Sequence, residues 1–412
     1  MVLVEDNMHG SIVLNLQTTE HETIKTTEIM KKLFLFITAM TLSAGLWAQE
    51  TQKVSYLYPV YNTANDPTSG IKEWLTESVD ATEVKDAVEV VTWKAGWYVV
   101  SGNVTFENGA VCEGAVHLIL ENEATLKSRG KNKHPGIQVS GEGNSLTIYG
   151  QTGQLITDGS ATAAGIGGGY KQDGSNITIN GGIIKSFGGA TGIGGGYKGS
   201  GSNITINGGV VEATGGYDGD GAAGIGGGNS GSGSNITING GRVIATTQFG
   251  DGIEDFKCGA GIGGGPGGVG SNITINNGFV TAVGNGGASG IGNGTGASGS
   301  VDIFAATRCI VRVGDSENPT DVIAHETNTD LASQLNGTRY VTVIYDLIDA
   351  YNNGYADGET AGDAAGYQRA KDELPTDSED AKGTAVVITK GIRSVTLVNP
   401  DRVNFIKVET EK

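Results

Sequence analysis

The sequence is poor in cysteine, in aromatic residues and in charge, and these shortages exclude several kinds of protein. It has only 3 cysteines among 412 residues, too few for a disulfide-dense scaffold. Aromatic residues make up 6% and charged residues 17%, the latter below the ~25% of an average soluble domain. Beyond a short run near the amino end, no apolar stretch reaches the ~18 residues of a membrane-spanning helix. The fold of this chain is therefore not expected to depend on disulfide bonds or on insertion into a membrane.

Glycine and acidic residues are in excess. The chain has 70 glycines, but they lack the every-third spacing of collagen, which excludes that fold. The formal net charge is −18, and an acidic chain repels phosphate backbones, so we expect no nucleic-acid partner. The composition indicates a glycine-rich, secreted protein whose order comes from repetition.

The segment near the amino end has the anatomy of a secretory signal peptide. Met30–Lys32 supply a basic start, Leu33–Trp47 carry no charge, and Ala48 offers a small residue for cleavage. We therefore predict a signal peptide over 30–48 and a secreted or cell-surface location. Because a signal normally begins a chain, residues 1–29 are interpreted as an artefact of an upstream start codon.

Two short strings recur along the chain. SNITIN begins at Ser175, Ser202, Ser234 and Ser271. GIGGG begins at Gly165, Gly192, Gly224 and Gly261, and a degenerate copy, GIGNG, begins at Gly290. With degenerate copies on both sides, the pattern makes about seven units between Gly96 and Gly314. Recurrence of this kind is typical of a solenoid.

Within a unit, apolar residues alternate with polar ones, and glycines turn the chain. Ile236 and Ile238 flank Thr237, a period of two that indicates a strand rather than a helix. Each unit offers about three such strands, so the pairing of successive units gives parallel sheets. The predicted fold class is all-β, a right-handed parallel β-helix of about seven coils with a non-repeat amino cap and a small α+β carboxyl tail. The predicted inward columns are Ile177, Ile204, Ile236 and Ile273; Ile179, Ile206, Ile238 and Ile275; Ile184, Val211, Val243 and Val280; Ser186, Ala213, Ala245 and Ala282; and Ile166, Ile193, Ile225, Ile262 and Ile291.

The segments outside the repeats complete the domain organisation. Trp74, Trp93 and Trp97 are the large apolar residues expected to close the amino end of the β-helix. The predicted segments after the signal peptide are an amino-terminal cap at 49–95, the β-helix at 96–315, a carboxyl cap strand at 316–345, a helical or linker segment at 346–382 and a small β tail at 383–412.

Polar side chains also recur in register. Stacked amides hydrogen-bond along the axis of a repeat, so the role predicted for the asparagines is structural. The asparagine columns are Asn176, Asn203, Asn235 and Asn272, and Asn180, Asn207, Asn239 and Asn276. The threonines expected to face outward as a ladder are Thr178, Thr205, Thr237 and Thr274.

Aromatic and basic residues directly after GIGGG are candidates for ligand binding. Tyr170-Lys171 and Tyr197-Lys198 occupy equivalent places in consecutive units, and Tyr217 lies in a variable loop. Tyrosine rings stack on sugars and lysine pairs with uronate carboxylates, so these five residues are the predicted carbohydrate-binding site. The alternative is a set of exposed turn residues, because later units carry other residue types at the tyrosine position.

The acidic stretch Gly216–Gly221 is a candidate for a calcium site. Asp218 and Asp220 could supply oxygen ligands, but an exposed acidic turn is the favoured interpretation. We expect no cofactor apart from this alternative. The cysteines are interpreted as small buried hydrophobic residues, with one disulfide and one free thiol as the alternative, and they are Cys112, Cys258 and Cys309.

No complete catalytic set is recognisable, and we predict that the protein is not an enzyme. A hydrolase on this fold needs several aspartates on adjacent coils, and Asn328-Thr329-Asp330 is only a fragment of that pattern. A lyase needs a basic residue beside a calcium cluster, and no acidic column accompanies the lysines. His117 lies within a predicted strand and is interpreted as structural.

Taken as a set, the motifs resemble a family of secreted gut-bacterial proteins described as carbohydrate-binding-domain-containing. The resemblance rests on GWYVVSGNVTF at Gly96–Phe106, HLIL at His117–Leu120, SLTIYGQ at Ser145–Gln151 and the repeated GIGGG and NITINGG, and it covers roughly residues 90–315. A signal ending in AQE is similar to those of Bacteroides relatives. The resemblance implies a pectate-lyase-like β-helix, an extracellular or surface location and polysaccharide binding.

The function predicted from the sequence is non-catalytic binding of a polysaccharide or surface glycan by a secreted or cell-surface, adhesin-like protein. Two alternatives stay open. One is a polysaccharide lyase or glycoside hydrolase that acts on acidic polysaccharide, and the other is a passive structural spacer.

Overall fold

The structure is a computed structural model. It describes residues 51–64, 66–216, 221–248, 257–305, 309–315, 321–325 and 335–345, together with Leu331 and the short strands at 3–5, 12–14, 392–396 and 407–410. The predicted signal peptide at 30–48 and the helical or linker segment at 346–382 lie outside the described residues.

In the described part of the chain every regular element is a strand. In chain order the strands are β1 (Leu3–Glu5), β2 (Ile12–Leu14), β3 (Thr51–Thr63), β4 (Asp66–Glu83), β5 (Val91–Val100), β6 (Asn103–Phe106), β7 (Ala110–Leu120), β8 (Thr125–Arg129), β9 (Ile137–Gln138), β10 (Ser145–Gly150), β11 (Gln154–Asp158), β12 (Ile166–Gly167), β13 (Gly174–Ile179), β14 (Ile183–Gly188), β15 (Ile193–Gly194), β16 (Gly201–Ile206), β17 (Val210–Gly215), β18 (Ile225–Gly226), β19 (Gly233–Ile238), β20 (Arg242–Thr247), β21 (Ile262–Gly263), β22 (Gly270–Ile275), β23 (Phe279–Val283), β24 (Ile291–Gly292), β25 (Ile303–Ala305), β26 (Cys309–Gly314), β27 (Asp321–His325), β28 (Tyr340–Tyr345), β29 (Ile392–Thr396) and β30 (Lys407–Thr410).

The chain divides into two compact units, residues 1–52 and 53–412. In the first unit, β1 and β2 pair antiparallel. In the second unit, β29 and β30 form a separate antiparallel pair. The other strands of the second unit build the β-helix, the hairpin on its surface and the closure of its carboxyl end.

The repeats wind into a parallel β-helix with three strand positions in each coil. Strands with SNITIN or its equivalent stack as face A, the strands after the following turn stack as face B, and the two-residue GIG strands stack as face C. Face B has the parallel strands β6, β8, β11, β14, β17, β20 and β23. We number coils 1 to 7 after these strands in that order, which agrees with the number of coils predicted.

From coil 2 onward, successive coils stack without a shift of register. On face A, Ile177 pairs with Ile204, and Ile204 pairs with Ile236. On face C, Ile166 pairs with Ile193. Equivalent residues therefore lie above one another at the ~4.8 Å separation of paired strands.

The predicted inward columns form the core of the β-helix. Every member of the five columns is at most 2% exposed, and each buried isoleucine or valine contributes about 1.5–3 kcal/mol. The one polar member, Ser186, donates a hydrogen bond to the Gly192 carbonyl at 2.7 Å and is bonded to the Thr157 hydroxyl at 2.8 Å. Its burial therefore leaves no unsatisfied group. The predicted columns are confirmed.

The asparagine columns form two ladders of side-chain hydrogen bonds. In the first, each amide nitrogen donates to the amide oxygen one coil earlier, at 3.1 Å from Asn203 to Asn176, 3.1 Å from Asn235 to Asn203 and 2.7 Å from Asn272 to Asn235. In the second, the distances are 2.8 Å from Asn207 to Asn180, 2.8 Å from Asn239 to Asn207 and 2.7 Å from Asn276 to Asn239. The structural role predicted for these residues is confirmed.

A hairpin of β3 and β4 lies along the outside of face A. The Tyr61 hydroxyl accepts a hydrogen bond from the Asn207 amide at 2.9 Å, in coil 5. Gly70, close to the hairpin turn, lies beside Asn276 of coil 7. At the other end of the hairpin, Val54 packs in a small apolar cluster with Tyr149 of coil 3. The hairpin thus runs across the strands of face A and covers several coils.

This hairpin changes two expectations from the sequence. Trp93 is 3% exposed and closes the amino end of the core, but Trp74 is 39% exposed and lies on the hairpin beside Gly208 of coil 5. Thr205 and Thr237 are 9% and 4% exposed. They stack in register on the outward side of face A as expected, but the hairpin covers that face, so these two threonines are buried.

The carboxyl end of the β-helix is closed by antiparallel strands. After β25, which begins a further turn, β28 pairs antiparallel with β23. β26 pairs antiparallel with β28 and with β27. β28 lies at the end of the segment 316–345 in which a carboxyl cap strand is predicted, and its Val341 and Val343 are buried. Pairing of this kind removes the open strand edge of coil 7.

Candidate functional site

Four of the predicted site residues lie at the corner where face C leads into face A. Tyr170 and Lys171 follow β12 and precede β13, and Tyr197 and Lys198 follow β15 and precede β16. These are the same corner in coils 3 and 4. The in-register stacking of the coils therefore brings the four residues together.

The two tyrosine rings stack on each other. Their centroids are 5.7 Å apart and their planes differ by 5°. Both side chains are partly exposed. Parallel rings at a separation close to the ~4.8 Å rise per coil follow directly from placing the same residue at the same corner twice.

Three lysine ammonium groups surround this ring pair. The Lys171 Nζ lies 5.2 Å from the centroid of the Tyr170 ring, and the Lys198 Nζ lies 5.5 Å from that of Tyr197. The Lys133 Nζ lies 4.7 Å from the centroid of the Tyr170 ring. We call these five residues the Tyr–Lys corner.

Lys133 is the member that sequence reasoning missed. It comes from the loop between β8 and β9, and its carbonyl accepts the Tyr170 backbone N–H at 3.2 Å. This loop lies outside the repeated motifs, so the motifs do not indicate that it contacts the corner of the next coil. The signal that could have found it is the basic run at 127–134, KSRGKNKH.

The lysines of this corner occupy backbone positions that favour glycine. Lys171 and Lys198 have φ values of 59° and 62°. Later coils have Ser230, Gly267 and Gly296 at this corner, with φ values of 60°, 74° and 80°. A left-handed residue other than glycine costs about 1–2 kcal/mol, whereas an exposed cation–π contact returns about 0.5–1 kcal/mol. The lysines therefore contribute no net stability that glycine would lack.

The stacking of the rings decides how a ligand can touch them. Because the tyrosines repeat along the axis, their faces point toward neighbouring coils. One face of Tyr170 meets Tyr197, and Lys133 approaches from the coil on the other side. This geometry favours ligand contacts with the ring edges, the hydroxyl groups and the ammonium groups over flat stacking of a sugar on Tyr170.

The charge of the corner is positive and is not neutralised by ion pairs. Neighbouring cations have partners, since Arg129 contacts Asp158 at 3.2 Å and Lys131 contacts Glu107 at 3.8 Å. None of the ion pairs in the described ranges includes a lysine of the Tyr–Lys corner. Asp173, two residues beyond Lys171, instead accepts the Ser200 backbone N–H at 2.7 Å.

The remaining predicted site residues cannot be placed. Tyr217, Asp218 and Asp220 lie outside the described residues. Among the residues that are described, no group of three or more histidine, cysteine, aspartate or glutamate side chains could hold a metal ion. Calcium binding and the role of Tyr217 stay predictions.

The buried titratable groups lie elsewhere, in apolar surroundings. The His117 ring stacks on Trp97 at 4.2 Å and its Nδ1 lies 3.1 Å from the Tyr149 hydroxyl, while burial lowers the pKa of His117. The side chains of Cys112 and Cys258 are buried, and burial raises the pKa of Cys112 to about 12. Such surroundings stabilise the neutral forms of these side chains. The side chain of Cys309 lies outside the described residues.

Two grooves elsewhere on the surface contain none of the predicted site residues. One, of about 460 Å³, lies between Lys53–Leu57 on β3 and the corners at Ile119–Asn122 and Tyr149–Gln151. The other, of about 450 Å³, lies on face B of coils 1 to 3 and includes Lys127 and Ile156. Neither groove carries the repeated chemistry of the Tyr–Lys corner.

Comparison with known proteins agrees with the architecture. The family model for the beta helix repeat matches residues 204–229, 236–266 and 273–295, which fall in coils 5 to 7. No curated protein and no solved structure matches the chain. No helix within the described ranges has the length and apolar character needed to cross a membrane. The fold and the repeat together define the class of the protein, a parallel β-helix.

Proposed function

We propose that this protein is a secreted or cell-surface, non-catalytic β-helix that binds a polysaccharide at the Tyr–Lys corner. The observation that carries the proposal is the stack of Tyr170 on Tyr197, with ammonium groups beside both rings. Beta-helix repeats occur in polysaccharide-acting and adhesin-like proteins, which supports the class of ligand.

A repeating corner suits a repeating ligand. Equivalent contacts recur at ~4.8 Å along the axis, so neighbouring sugars of one chain can each meet the same kind of side chain. Contacts made to the same chain reinforce one another, because the second binds at a high effective concentration once the first is formed. A polymer is therefore expected to bind more tightly than its monosaccharide.

The first test is a glycan array with the full chain, run with and without calcium. We expect binding to at least one polysaccharide without release of product. Tyr170→Ala combined with Tyr197→Ala should weaken that binding at least tenfold, because the exposed ring edges and hydroxyl groups are lost. Phe187→Ala, which removes an exposed ring from face B, is the matched control and should leave affinity unchanged.

Two outcomes of this test would contradict the proposal. Release of reducing ends or unsaturated uronates from an acidic polysaccharide would establish an enzyme instead. Unchanged affinity in the double tyrosine variant would exclude the Tyr–Lys corner as the binding site.

A further inference from the structure

We propose that the ligand of the Tyr–Lys corner is a linear polyanionic glycan, with a carboxylate or sulfate group on successive sugars, held along the β-helix axis by Lys133, Lys171 and Lys198. This inference rests on the proposed function and adds the chemical class and the direction of the ligand. Lys133 becomes a binding residue that the repeat pattern does not reveal.

The first support is uncompensated positive charge in an acidic protein. The chain carries a formal net charge of −18, yet three ammonium groups gather around two rings in coils 2 to 4. None of the ion pairs among the described residues joins any of these three ammonium groups to a carboxylate. An anionic polymer is repelled by most of such a surface and attracted to this corner, so electrostatics favours binding here.

The second support is the choice of residue at a strained backbone position. Lys171 and Lys198 hold left-handed φ values that glycine adopts without cost at Gly267 and Gly296. Packing does not explain the lysines, because the later coils stack at this corner without them. The lysines are explained if their ammonium groups bind a ligand instead of stabilising the fold.

The third support is geometry. The rings beneath the ammonium groups order flexible side chains before a ligand arrives, which lowers the entropy lost on binding. Lysines on successive coils are offset by the ~4.8 Å rise of the β-helix, which is close to the advance per sugar in an extended 1,4-linked chain. Each anionic group can therefore accept a charge-assisted hydrogen bond from its own ammonium group.

The ends of the site follow from the same column. Beyond coil 4 the corner carries Asn229 with Ser230, and then Pro266 with Gly267. No lysine continues the row there. The column itself therefore supplies two lysines, one in coil 3 and one in coil 4, and Lys133 adds a third from a neighbouring loop of coil 2. At the ~4.8 Å rise per coil the site spans about two to three sugars, and longer chains should gain little further affinity.

The experiment is a calorimetric titration of the full chain with two matched pairs of probes. One pair is an oligogalacturonate and its methyl-esterified, neutral form, and the other is dextran sulfate and dextran. We expect at least one anionic member to bind at least tenfold more tightly than its neutral match, with affinity falling as salt rises. The pair that shows the preference distinguishes a carboxylated from a sulfated ligand.

Lysine variants test whether the preference for anionic over neutral probes arises at the Tyr–Lys corner. Lys133→Gln combined with Lys171→Gly and Lys198→Gly should abolish this preference. Because the glycines retain the left-handed backbone conformation, the thermal unfolding midpoint should not fall. Replacement of the same lysines by arginine should retain the preference. The control for net charge removes three lysines elsewhere, Lys53→Gln, Lys72→Gln and Lys185→Gln, and should leave the preference intact.

The failures of the two proposals are distinguishable. Equal binding of the anionic and neutral probes, or a preference that survives in the glycine variant, overturns the polyanion inference and leaves polysaccharide binding standing. Absence of binding to every glycan on the array and to all four probes overturns the proposed function and this inference with it.

Discussion

At the scale of single residues, glycine decides whether coils can stack at face C. Gly194 has a φ of 136°, and a Cβ built on it would lie 2.1 Å from the Gly226 carbonyl oxygen of the next coil. Neither the backbone angle nor the space admits another residue there. The second glycine of the GIG strands in coils 3 to 6 is therefore required by the packing of backbone against backbone, whereas Gly292 of coil 7 lies beside the side chain of Asn336.

Gly194→Ala should consequently destabilise the β-helix by about 2–5 kcal/mol, the combined cost of backbone strain and overpacking. Urea unfolding followed by circular dichroism measures the change. Gly102→Ala is the control, because a Cβ on Gly102 meets no atom within 4 Å, and we expect it to change stability by at most about 0.5 kcal/mol. Equal effects of the two variants would contradict this account of the glycine column.

The candidate site could be predicted from the sequence only where the repeat extends to it. Tyr170 and Tyr197 share a position in consecutive units, so their proximity follows from the register alone. The position of Lys133 does not follow from the register, because the path of a loop outside the repeat depends on its own backbone hydrogen bonds. The position of Lys133, which completes the corner, is therefore evident only from the three-dimensional structure.

At the scale of elements, the inward columns could be predicted and the hairpin could not. A column such as Ile204 and Ile236 needs only alternation and a constant offset, both visible in the sequence. The hairpin of β3 and β4 has no repeat, and it is held by individual contacts such as that between Tyr61 and Asn207. Its location on face A, and the burial of Thr205 beneath it, depend on tertiary packing that the pattern does not encode.

The base of the hairpin is attached by an aromatic cluster with a predictable response to pH. The Tyr56 ring lies 4.5 Å from Trp97 and 4.8 Å from Tyr149, and its hydroxyl donates to Glu77 at 2.8 Å. Burial first, and then the hydrogen bond and charge of Glu77, raise the pKa of Tyr56 to about 12. The folded state thus holds this proton more tightly than the unfolded chain, whose tyrosine pKa is about 10.

The stability that Tyr56 contributes should be present in full below pH 10 and lost as the pH rises from about 10 through about 12. Thermal unfolding midpoints across this range should fall less steeply in Tyr56→Phe than in the unmodified protein. The absorbance of tyrosinate gives an independent measurement, since the step missing from the variant should centre near the higher pH. A missing step near pH 10 would contradict the proposed burial of this hydroxyl.

At the scale of the whole β-helix, the core and the ladders make neighbouring coils dependent on one another. One apolar cluster includes Trp93 near the amino end and Val343 of the closing strands. The asparagine ladders link coil to coil on two corners. Solenoids gain stability from such interfaces between neighbouring repeats, and a continuous core with an antiparallel closure favours unfolding of all coils together.

Ile236→Ala tests this cooperativity in coil 6. Ile236 is fully buried, so its truncation should cost about 2–5 kcal/mol. Ile244→Ala removes the same atoms from the outward side of the same coil, where the side chain is only half-buried, and should cost about 1 kcal/mol or less. In urea, the Ile236 variant should unfold at a lower midpoint with an unchanged m-value, because the same total surface is exposed in one transition. A reduced m-value or two separate transitions would instead mean that the coils on either side of coil 6 unfold independently.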